Sequence, residues 1–202
     1  MKLSQRSEQL VESATLAVAS MAAEMQAKGI DVVGFGAGEP DFNTPEYIRD
    51  ACKAALDAGY TKYAKPASGV MPAKQAICSK LKRENNLDYK PGQVLLTVGG
   101  KEALYLATMA LVDPGDEVIL PAPYWVSYPE QVRLAGGKNV IIAGKEANRF
   151  KLTAQEIANA ITPKTKVLIF NSPSNPGGFT YTPEEVQAIA KVVEGKPIVV
   201  FS

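Results

Sequence analysis

The sequence predicts an α/β protein in which a mostly parallel sheet is flanked by helices. Short apolar runs rich in β-branched residues alternate with longer stretches of helical character, a pattern typical of βα units. The run 167–170 is apolar at every position, as expected for a strand that is covered on both faces. These two observations favour a parallel sheet with crossover helices on both sides.

The order of the elements follows from this alternation. Residues 1–30 are expected to form a helical arm before the first strand. Predicted strands lie at residues 31–35, 93–98, 117–120, 139–142, 166–170 and 197–201, and predicted helices at residues 45–58, 71–85, 101–111, 127–135, 153–161 and 182–193.

Two of the predicted helices begin with a capping signal. Thr153 is followed three positions later by Glu156, the pattern of a capping box. Thr182 and Glu185 repeat this pattern, with Pro183 at the first helical position. Both helix starts are therefore fixed by local hydrogen bonding.

The composition is globular and excludes several classes of function. The 202 residues carry 22 Lys plus Arg and 21 Asp plus Glu, so the formal net charge is +1, which argues against nucleic-acid binding and against a polybasic membrane contact. A chain without histidine has no Ser-His-Asp or Cys-His nucleophile and no imidazole zinc site. Cys52 and Cys78 form no CxxC pair, so we expect free thiols in a reducing compartment, the cytoplasm. The polar residues 1–10 predict no signal peptide, and no apolar run approaches the ~18 residues of a membrane helix.

The sequence stops at Ser202, inside a predicted buried strand. A parallel sheet needs covering helices on both faces, and none follows residues 197–201. We therefore expect the front part of a longer architecture, with a natural C-terminal strand as the alternative.

A pair of glycines opens one predicted helix directly after a predicted strand. Gly99 and Gly100 separate the run 93–98 from the helix that contains Lys101. Glycine lets the backbone approach a ligand, and the unpaired N–H groups and dipole of a helix N-terminus favour anions. We predict a phosphate site here, although the Walker pattern is absent. The alternative is a tight turn with a solvated Lys101.

Two weaker signals lie earlier in the sequence. The segment 34–41 carries three glycines, but the third comes one position too early for a dinucleotide fingerprint, and residues 39–41 predict a turn where a helix should begin. The backbone of Gly38 can still present itself to a small carboxylate. Tyr63 can donate to a phosphate oxygen. A plain turn and an ordinary surface or core tyrosine are the alternatives.

Two loops that follow predicted buried strands carry an aromatic ring and an amide. Trp125, the single tryptophan, follows the strand at 117–120, where a large ring can stack on a flat ligand. Asn175 lies among prolines after the strand at 166–170, and an X-Pro bond there is a candidate for the cis form. A core tryptophan and a hydrophilic connection are the alternatives. Because carboxyl ends of parallel strands share one sheet edge, we expect Gly100, Trp125 and Asn175 to form one pocket for a flat, phosphorylated aromatic cofactor.

Five segments occur in an order and at a spacing that resemble a known family. They are Ala37-Gly38-Glu39-Pro40-Asp41-Phe42, Lys62-Tyr63, Gly99-Gly100-Lys101, Tyr124-Trp125-Val126-Ser127-Tyr128-Pro129 and Asn171-Ser172-Pro173-Ser174-Asn175-Pro176. Over essentially its whole length the sequence resembles class I aminotransferases, above all bacterial aspartate aminotransferases of the subgroup that includes prephenate-accepting enzymes. The resemblance implies a fold-type-I pyridoxal-phosphate transferase large domain, incomplete at the C-terminus. The implied organisation is an N-terminal arm with the start of a small domain and substrate loop at 1–45, then part of the cofactor-binding large domain at 46–202.

The resemblance also implies which residues bind the cofactor, pyridoxal 5′-phosphate. Backbone N–H groups of Gly100 and Lys101 would hold its phosphate, and Trp125 would stack on its pyridine ring. Asn175 would hydrogen-bond the 3′-oxygen of that ring, with the bond to Pro176 in the cis form. The protein supplies binding and orientation, while the coenzyme acts as the electron sink.

A second set of implied roles concerns the substrates and the partner subunit. Gly38, Trp125 and Asn175 would line the substrate side, where an amino acid such as aspartate and a 2-oxo acid exchange an amino group. Tyr63 would reach the phosphate bound by the other subunit, which implies a homodimer. No nucleic acid or membrane partner is expected.

The sequence departs from the family at the residues that carry the chemistry. It lacks the Schiff-base lysine, the Asp that pairs with the pyridine nitrogen, and the arginines that bind phosphate and substrate carboxylate. Its one Ser-Lys pair, Ser79-Lys80, lies in a predicted helix without a following Gly-x-Arg. Ala73-Lys74 stands where Leu-Arg is usual, and Gly177 where threonine is common. We therefore expect no catalytic residue in this chain and no transamination by the chain alone.

Other interpretations stay open. One is another fold-type-I enzyme, such as a carbon–sulfur lyase or an aromatic transaminase. Another is a non-catalytic fragment or interaction module that keeps the phosphate site. A nucleotide-binding Rossmann protein is a third interpretation, and the spacing of the glycines in segment 34–41 argues against it.

Overall fold

The computed structural model describes residues 2–11, 13–36 and 38–202, which form two compact units. One unit combines the residues up to Val32 with Leu104–Ser202, and the other is Val33–Ala103. The domain boundary expected after residue 45 stays a prediction.

The first unit contains a parallel four-stranded sheet. Its strands are β1 (Glu117–Ala122), β2 (Lys138–Ala143), β3 (Thr165–Ile169) and β4 (Val199–Phe201). They lie in the order β2-β1-β3-β4, and every neighbouring pair is parallel, as predicted. Within the described sheet β4 has β3 as its single neighbour, and Val199 and Val200 are 40% and 39% exposed.

Helices connect the strands and cover the sheet. They are α1 (Gln5–Glu8), α2 (Ala14–Ala27), α3 (Glu46–Asp57), α4 (Met71–Asn85), α5 (Gly99–Leu111), α6 (Ser127–Leu134), α7 (Ala154–Ala160) and α8 (Pro183–Val193). Short 3₁₀ helices occur at Pro91–Gln93 and Glu146–Asn148. Among the described residues, none of these helices combines the length and apolarity that a bilayer crossing requires.

Two apolar clusters pack on the two faces of the sheet. Val118 and Leu120 of β1 belong to the first cluster, and Ile119 between them belongs to the second. On β3, Leu168 likewise belongs to the second cluster, while its neighbour Val167 belongs to the first. Successive strand side chains point to opposite faces, so a strand that is apolar at every position is covered on both sides. This confirms the sequence prediction for the central strands.

Both predicted capping boxes are present. The Thr153 hydroxyl accepts the Glu156 backbone N–H at 3.2 Å, and the Glu156 carboxylate accepts the Thr153 N–H at 2.8 Å. Thr182 and Glu185 make the same reciprocal pair at 3.3 and 2.8 Å. These bonds satisfy helix N–H groups that otherwise lack partners and so fix where α7 and α8 begin.

Two predicted strands are wrong. Residues 31–35 and 94–97 have no regular secondary structure, and Gln93 ends a 3₁₀ turn. The backbone N–H of Leu96 donates at 2.9 Å to the loop carbonyl of Ser68 and to no strand of the described chain. An apolar run becomes a strand only where a neighbour offers a row of backbone partners, and β1 to β4 pair with one another instead.

The second unit holds a tight connection between the loop before α4 and the segment before α5. Lys74, on α4, is 2% exposed, and its Nζ donates to the Ser68 Oγ at 2.7 Å. Gly69 has a φ of +123°, and a Cβ built there would lie 2.5 Å from the Leu96 Cγ. Only glycine therefore fits at position 69, because both the backbone angle and the neighbouring leucine exclude a side chain.

Candidate functional site

A cleft opens at the carboxyl edge of the sheet, between β1 and β3. These two strands are neighbours, so the loops that follow them meet at the same edge. The cleft is lined by Leu120, Pro121, Pro123, Tyr124, Tyr128, Ile169, Phe170, Asn171, Ser174, Asn175, Phe179 and Tyr181. Ligands of α/β proteins bind outside the carboxyl ends of the strands, and this cleft lies at that edge, which makes it the candidate site.

The β1 side of the cleft is an aromatic wall. Tyr128, the second residue of α6, is buried, and this burial raises the pKa of its phenol. Trp125 meets the Tyr128 ring edge-on, with ring centroids 5.4 Å apart and planes at 85°, and packs partly buried against the first core cluster. Trp125 therefore contacts the cleft wall through the Tyr128 ring.

The β3 side of the cleft is a polar loop, residues 171–178, called the asparagine loop, which is held by its own hydrogen bonds. The Asn175 N–H donates to the Asn171 Oδ1 at 2.7 Å, so the first asparagine fixes the backbone of the second. The Ser174 N–H donates to the Phe179 carbonyl at 2.9 Å, and the Gly178 N–H donates to the Ser174 carbonyl at 2.8 Å. Asn175 is exposed at the cleft.

The loops around the cleft contain several cis peptide bonds. They are Ala122-Pro123, Ser172-Pro173 and Asn175-Pro176. The cis form that the sequence suggests for the asparagine loop is therefore present, and the expected bond, Asn175-Pro176, is one of those that adopt it.

A second group of rings closes the cleft beyond the asparagine loop. The centroid of the Tyr181 ring lies 4.8 Å from that of Phe170 and 6.2 Å from that of Phe179, and the second pair is in an edge-type contact. Its hydroxyl accepts the backbone N–H of Leu152 at 2.9 Å. Burial raises the pKa of Tyr181, so its phenol stays protonated at neutral pH. Phe179 and Tyr181 were not predicted from the sequence as site residues, and their position just after the asparagine loop was the only signal for them.

The predicted phosphate site lies in the second unit, at the start of α5. Gly99 has a φ of +78°, which favours glycine, and a Cβ at Gly100 would meet no atom within 4 Å. The Glu102 carboxylate accepts the Val98 N–H, and the Thr97 hydroxyl donates to the Gly99 carbonyl at 3.0 Å. The turn is thus ordered and open, as an anion site at a helix N-terminus requires, although no strand precedes it.

The remaining candidate residues also lie in the second unit. Tyr63 is 97% exposed and lines a wide depression with Lys62 and Lys65. Gly38 is exposed, with no atom within 4 Å of a built Cβ. Ala37, part of the same motif, lies outside the described residues.

The predicted site residues lie in both units, and of Trp125 and Asn175 only Asn175 lines the cleft. Trp125 and Asn175 lie in the first unit, on loops that follow neighbouring strands at one sheet edge. Gly100 and Lys101 begin α5 in the second unit, which also holds Tyr63 and Gly38. Their roles toward a ligand stay predictions.

Comparison with known sequences gives one consistent result. Residues 30–202 match the family model described as aminotransferase class I and II. The chain is 50% identical over 202 residues to an aspartate aminotransferase of Geobacillus stearothermophilus, covering 100% of this chain and 51% of that protein. It is 48% identical over 197 residues to an aspartate/prephenate aminotransferase of Nitrosomonas europaea, covering 98% of this chain and 49% of that one.

Solved structures agree with the sequence matches. The aspartate aminotransferase of Thermus thermophilus with maleate superposes with a TM-score of 0.95 at 43% identity, over 99% of this chain and 52% of that chain. An aspartate aminotransferase from Rhizobium meliloti gives a TM-score of 0.92 at 39% identity, over 99% and 50%. The chain thus spans about half the length of the relatives it matches.

Proposed function

Because this chain belongs to the aminotransferase class I and II family, we propose that it serves the transfer of an amino group between an amino acid, aspartate or a similar one, and a 2-oxo acid. The proposed cofactor is pyridoxal 5′-phosphate, the proposed assembly a homodimer, and the proposed location the cytoplasm. The observation that carries the proposal is the cleft at the carboxyl edge of β1 and β3, where a fixed asparagine faces an aromatic wall.

Each unit offers groups that suit one part of a flat phosphorylated ring. In the first unit the cleft offers an exposed amide at Asn175 and the rings of Tyr124 and Tyr128, which suit a polar aromatic ligand. In the second unit the open turn at Gly99 and Gly100 offers backbone N–H groups at a helix start, which suit a phosphate.

When bound, pyridoxal phosphate supplies the electron sink for amino-group transfer. In our proposal the N–H groups of Gly100 and Lys101 bind the phosphate and so anchor the cofactor. The Asn175 amide donates to the 3′-oxygen and helps to orient the substrate carboxylate, and Trp125 excludes water from one face of the ring.

Two further roles complete the proposal. The Gly38 backbone lines the substrate side, where the absence of a side chain leaves space for a small acid. Tyr63, almost fully exposed, donates to the phosphate held by the partner subunit, which makes the dimer part of the site. The Schiff-base lysine has no counterpart among these 202 residues.

The first experiment measures cofactor binding through the single tryptophan. Pyridoxamine 5′-phosphate is the probe, because it has no aldehyde and forms no imine with surface lysines. We expect it to quench the Trp125 emission saturably, and pyridoxamine without the phosphate to bind at least about tenfold more weakly, since it lacks the anionic group.

Two variants assign this signal to the cleft. Asn175→Ala should weaken binding, because the cofactor loses a hydrogen-bond partner, whereas Asn159→Ala, an exposed asparagine on α7, should not. Quenching by both compounds with equal strength, or equal binding by both variants, would contradict the proposed site.

The second experiment tests the reaction itself. The chain is joined to the half of the Geobacillus stearothermophilus relative that it does not match, and the chimera is assayed with aspartate, 2-oxoglutarate and pyridoxal phosphate. We expect glutamate to form, and Asn175→Ala to lower kcat/KM. A folded chimera that binds pyridoxamine phosphate but forms no glutamate would favour another fold-type-I activity or a non-catalytic module.

A further inference from the structure

In the asparagine loop, the Phe179 ring occupies the space beside Gly177 where a side chain would lie. A Cβ built at Gly177 would lie 2.6 Å from the Cε1 and 2.7 Å from the Cδ1 of Phe179. Real Cβ atoms do not approach carbon atoms so closely, so the Phe179 ring occupies the space that any side chain at position 177 would need. The position of the Phe179 ring therefore accounts for the glycine at position 177.

The Phe179 ring, half-buried, is supported on one side by Tyr181. The centroids of these two rings are 6.2 Å apart in an edge-type contact, and Tyr181 itself contacts Phe170 and accepts the Leu152 N–H. Phe179 also lines the cleft, so any displacement of its ring changes the cleft wall.

The backbone of Phe179 is tied to the residue next to Asn175. The Phe179 carbonyl accepts the Ser174 N–H at 2.9 Å, and Ser174 is 9% exposed. A shift of Phe179 therefore pulls on a buried residue directly before Asn175, whose own N–H is held at 2.7 Å by Asn171.

We propose that Gly177 and Phe179 form a fitted pair that positions Asn175 at the cleft. Neither side chain needs to touch a ligand: Phe179 packs over the glycine, keeps its carbonyl in place for Ser174, and so sets the orientation of the Asn175 amide. The functional value of this pair rests on the proposed role of Asn175, while its structural part stands on the contacts alone.

The test is a double-mutant cycle on Gly177→Ala and Phe179→Ala. Gly177→Ala adds a methyl group against the ring, so we expect the Kd for pyridoxamine phosphate to rise about tenfold and the amide exchange of Asn175 to become faster. In the Phe179→Ala background the methyl group has room, so the same substitution should change Kd by less than about twofold.

Gly178→Ala is the matched control in the same loop. Gly178 has a φ of +68°, but a Cβ there would meet no atom within 4 Å outside its two chain neighbours. This variant strains the backbone directly through its positive φ, so Phe179→Ala should leave most of its defect in place. Rescue of Gly177→Ala alone distinguishes the fitted pair from a general weakening of the loop.

The outcomes separate the inference from the proposed function. If the unmodified chain binds no pyridoxamine phosphate, the proposed function fails, and the pair is then judged from the exchange rate of the Asn175 amide in the same variants. If Gly177→Ala changes neither Kd nor exchange, or if Phe179→Ala fails to remove its effect, the pair does not position Asn175 and the inference is overturned.

Discussion

The Lys74 Nζ lies 2.7 Å from the Ser68 Oγ, and this hydrogen bond gives a buried ammonium group its partner in the second unit. The carbonyl of the same serine accepts the Leu96 N–H at 2.9 Å. Ser68 thus joins α4 to the segment that leads into α5. The lysine makes this contact with a single nitrogen atom, whereas an arginine would present a wider guanidinium fork.

Removal of the serine hydroxyl should cost more stability than removal of the lysine charge. Ser68→Ala leaves the buried ammonium group without its acceptor, so we expect the free energy of unfolding to fall by about 1–3 kcal/mol. Lys74→Met removes the charge and keeps the packing, so it should stay within about 1 kcal/mol of the unmodified chain.

Urea unfolding followed by far-UV circular dichroism measures this difference, because the single tryptophan lies in the other unit. In the double variant the loss should equal that of Lys74→Met alone. Losses that simply add would show that the two side chains do not interact.

Gly69→Ala should destabilise the second unit strongly. Its φ of +123° and the Leu96 side chain 2.5 Å from a built Cβ both oppose a methyl group, so we expect a loss of at least about 2 kcal/mol. Gly59→Ala is the control, since Gly59 has a φ of +78° but open space, and it should cost about 1 kcal/mol. Melting temperatures in the reverse order would contradict the role of Leu96.

Glu117 should make the stability of the sheet depend on pH. The Thr162 hydroxyl donates to its carboxylate at 2.7 Å and the Lys138 ammonium at 3.1 Å, and these contacts hold the pKa of Glu117 below its ordinary value of 4.5. The folded state therefore binds this proton less readily than the unfolded chain. The stabilisation is complete well above 4.5 and is lost as the pH falls through the lowered pKa.

In the Glu117→Gln variant, the free energy of unfolding should accordingly change less as the pH falls into the acid range. The variant should be less stable than the unmodified chain at neutral pH, and the two should converge below the lowered pKa. Urea midpoints measured between pH 7 and about 3 check this. Parallel curves over that range would show that the carboxylate contributes no pH dependence.

The 202-residue chain alone should not transaminate. With pyridoxal phosphate, aspartate and 2-oxoglutarate we expect no glutamate above the level of a protein-free control, because no residue of this sequence matches the family's Schiff-base lysine. Glutamate formed at an appreciable rate by the purified chain would refute this, and borohydride reduction followed by mass spectrometry would then identify the lysine that carries the cofactor.

Local signals predicted the helix starts and the two central strands, β1 and β3, whereas the strand expected to be buried at residues 197–201 is exposed at Val199 and Val200. Thr153 with Glu156 and Thr182 with Glu185 fix their helix starts through neighbours in sequence, so the sequence contains the whole interaction. The strand at residues 93–98 was predicted from its apolar character alone. A strand also needs a partner, and the partner of Leu96 is a loop carbonyl far away in sequence.

The same limit applies to the candidate site. The loops of Trp125 and Asn175 could be placed at one sheet edge because each follows a strand. The fit between Gly177 and Phe179 could not be predicted, because it depends on where one ring points after the loop has closed. The spacing of the sequence was enough to identify Asn175, but the packing around it depends on the tertiary structure.

The outer edge of β4 has a practical consequence for work with this chain. Val199 and Val200 lie there half-exposed, beside backbone groups that no other described strand pairs with. Such an edge is a template on which extended segments of other molecules can assemble. At high concentration the chains should therefore associate through the β4 edge. A short peptide rich in β-branched residues, added in excess, should slow this association by pairing with the same edge.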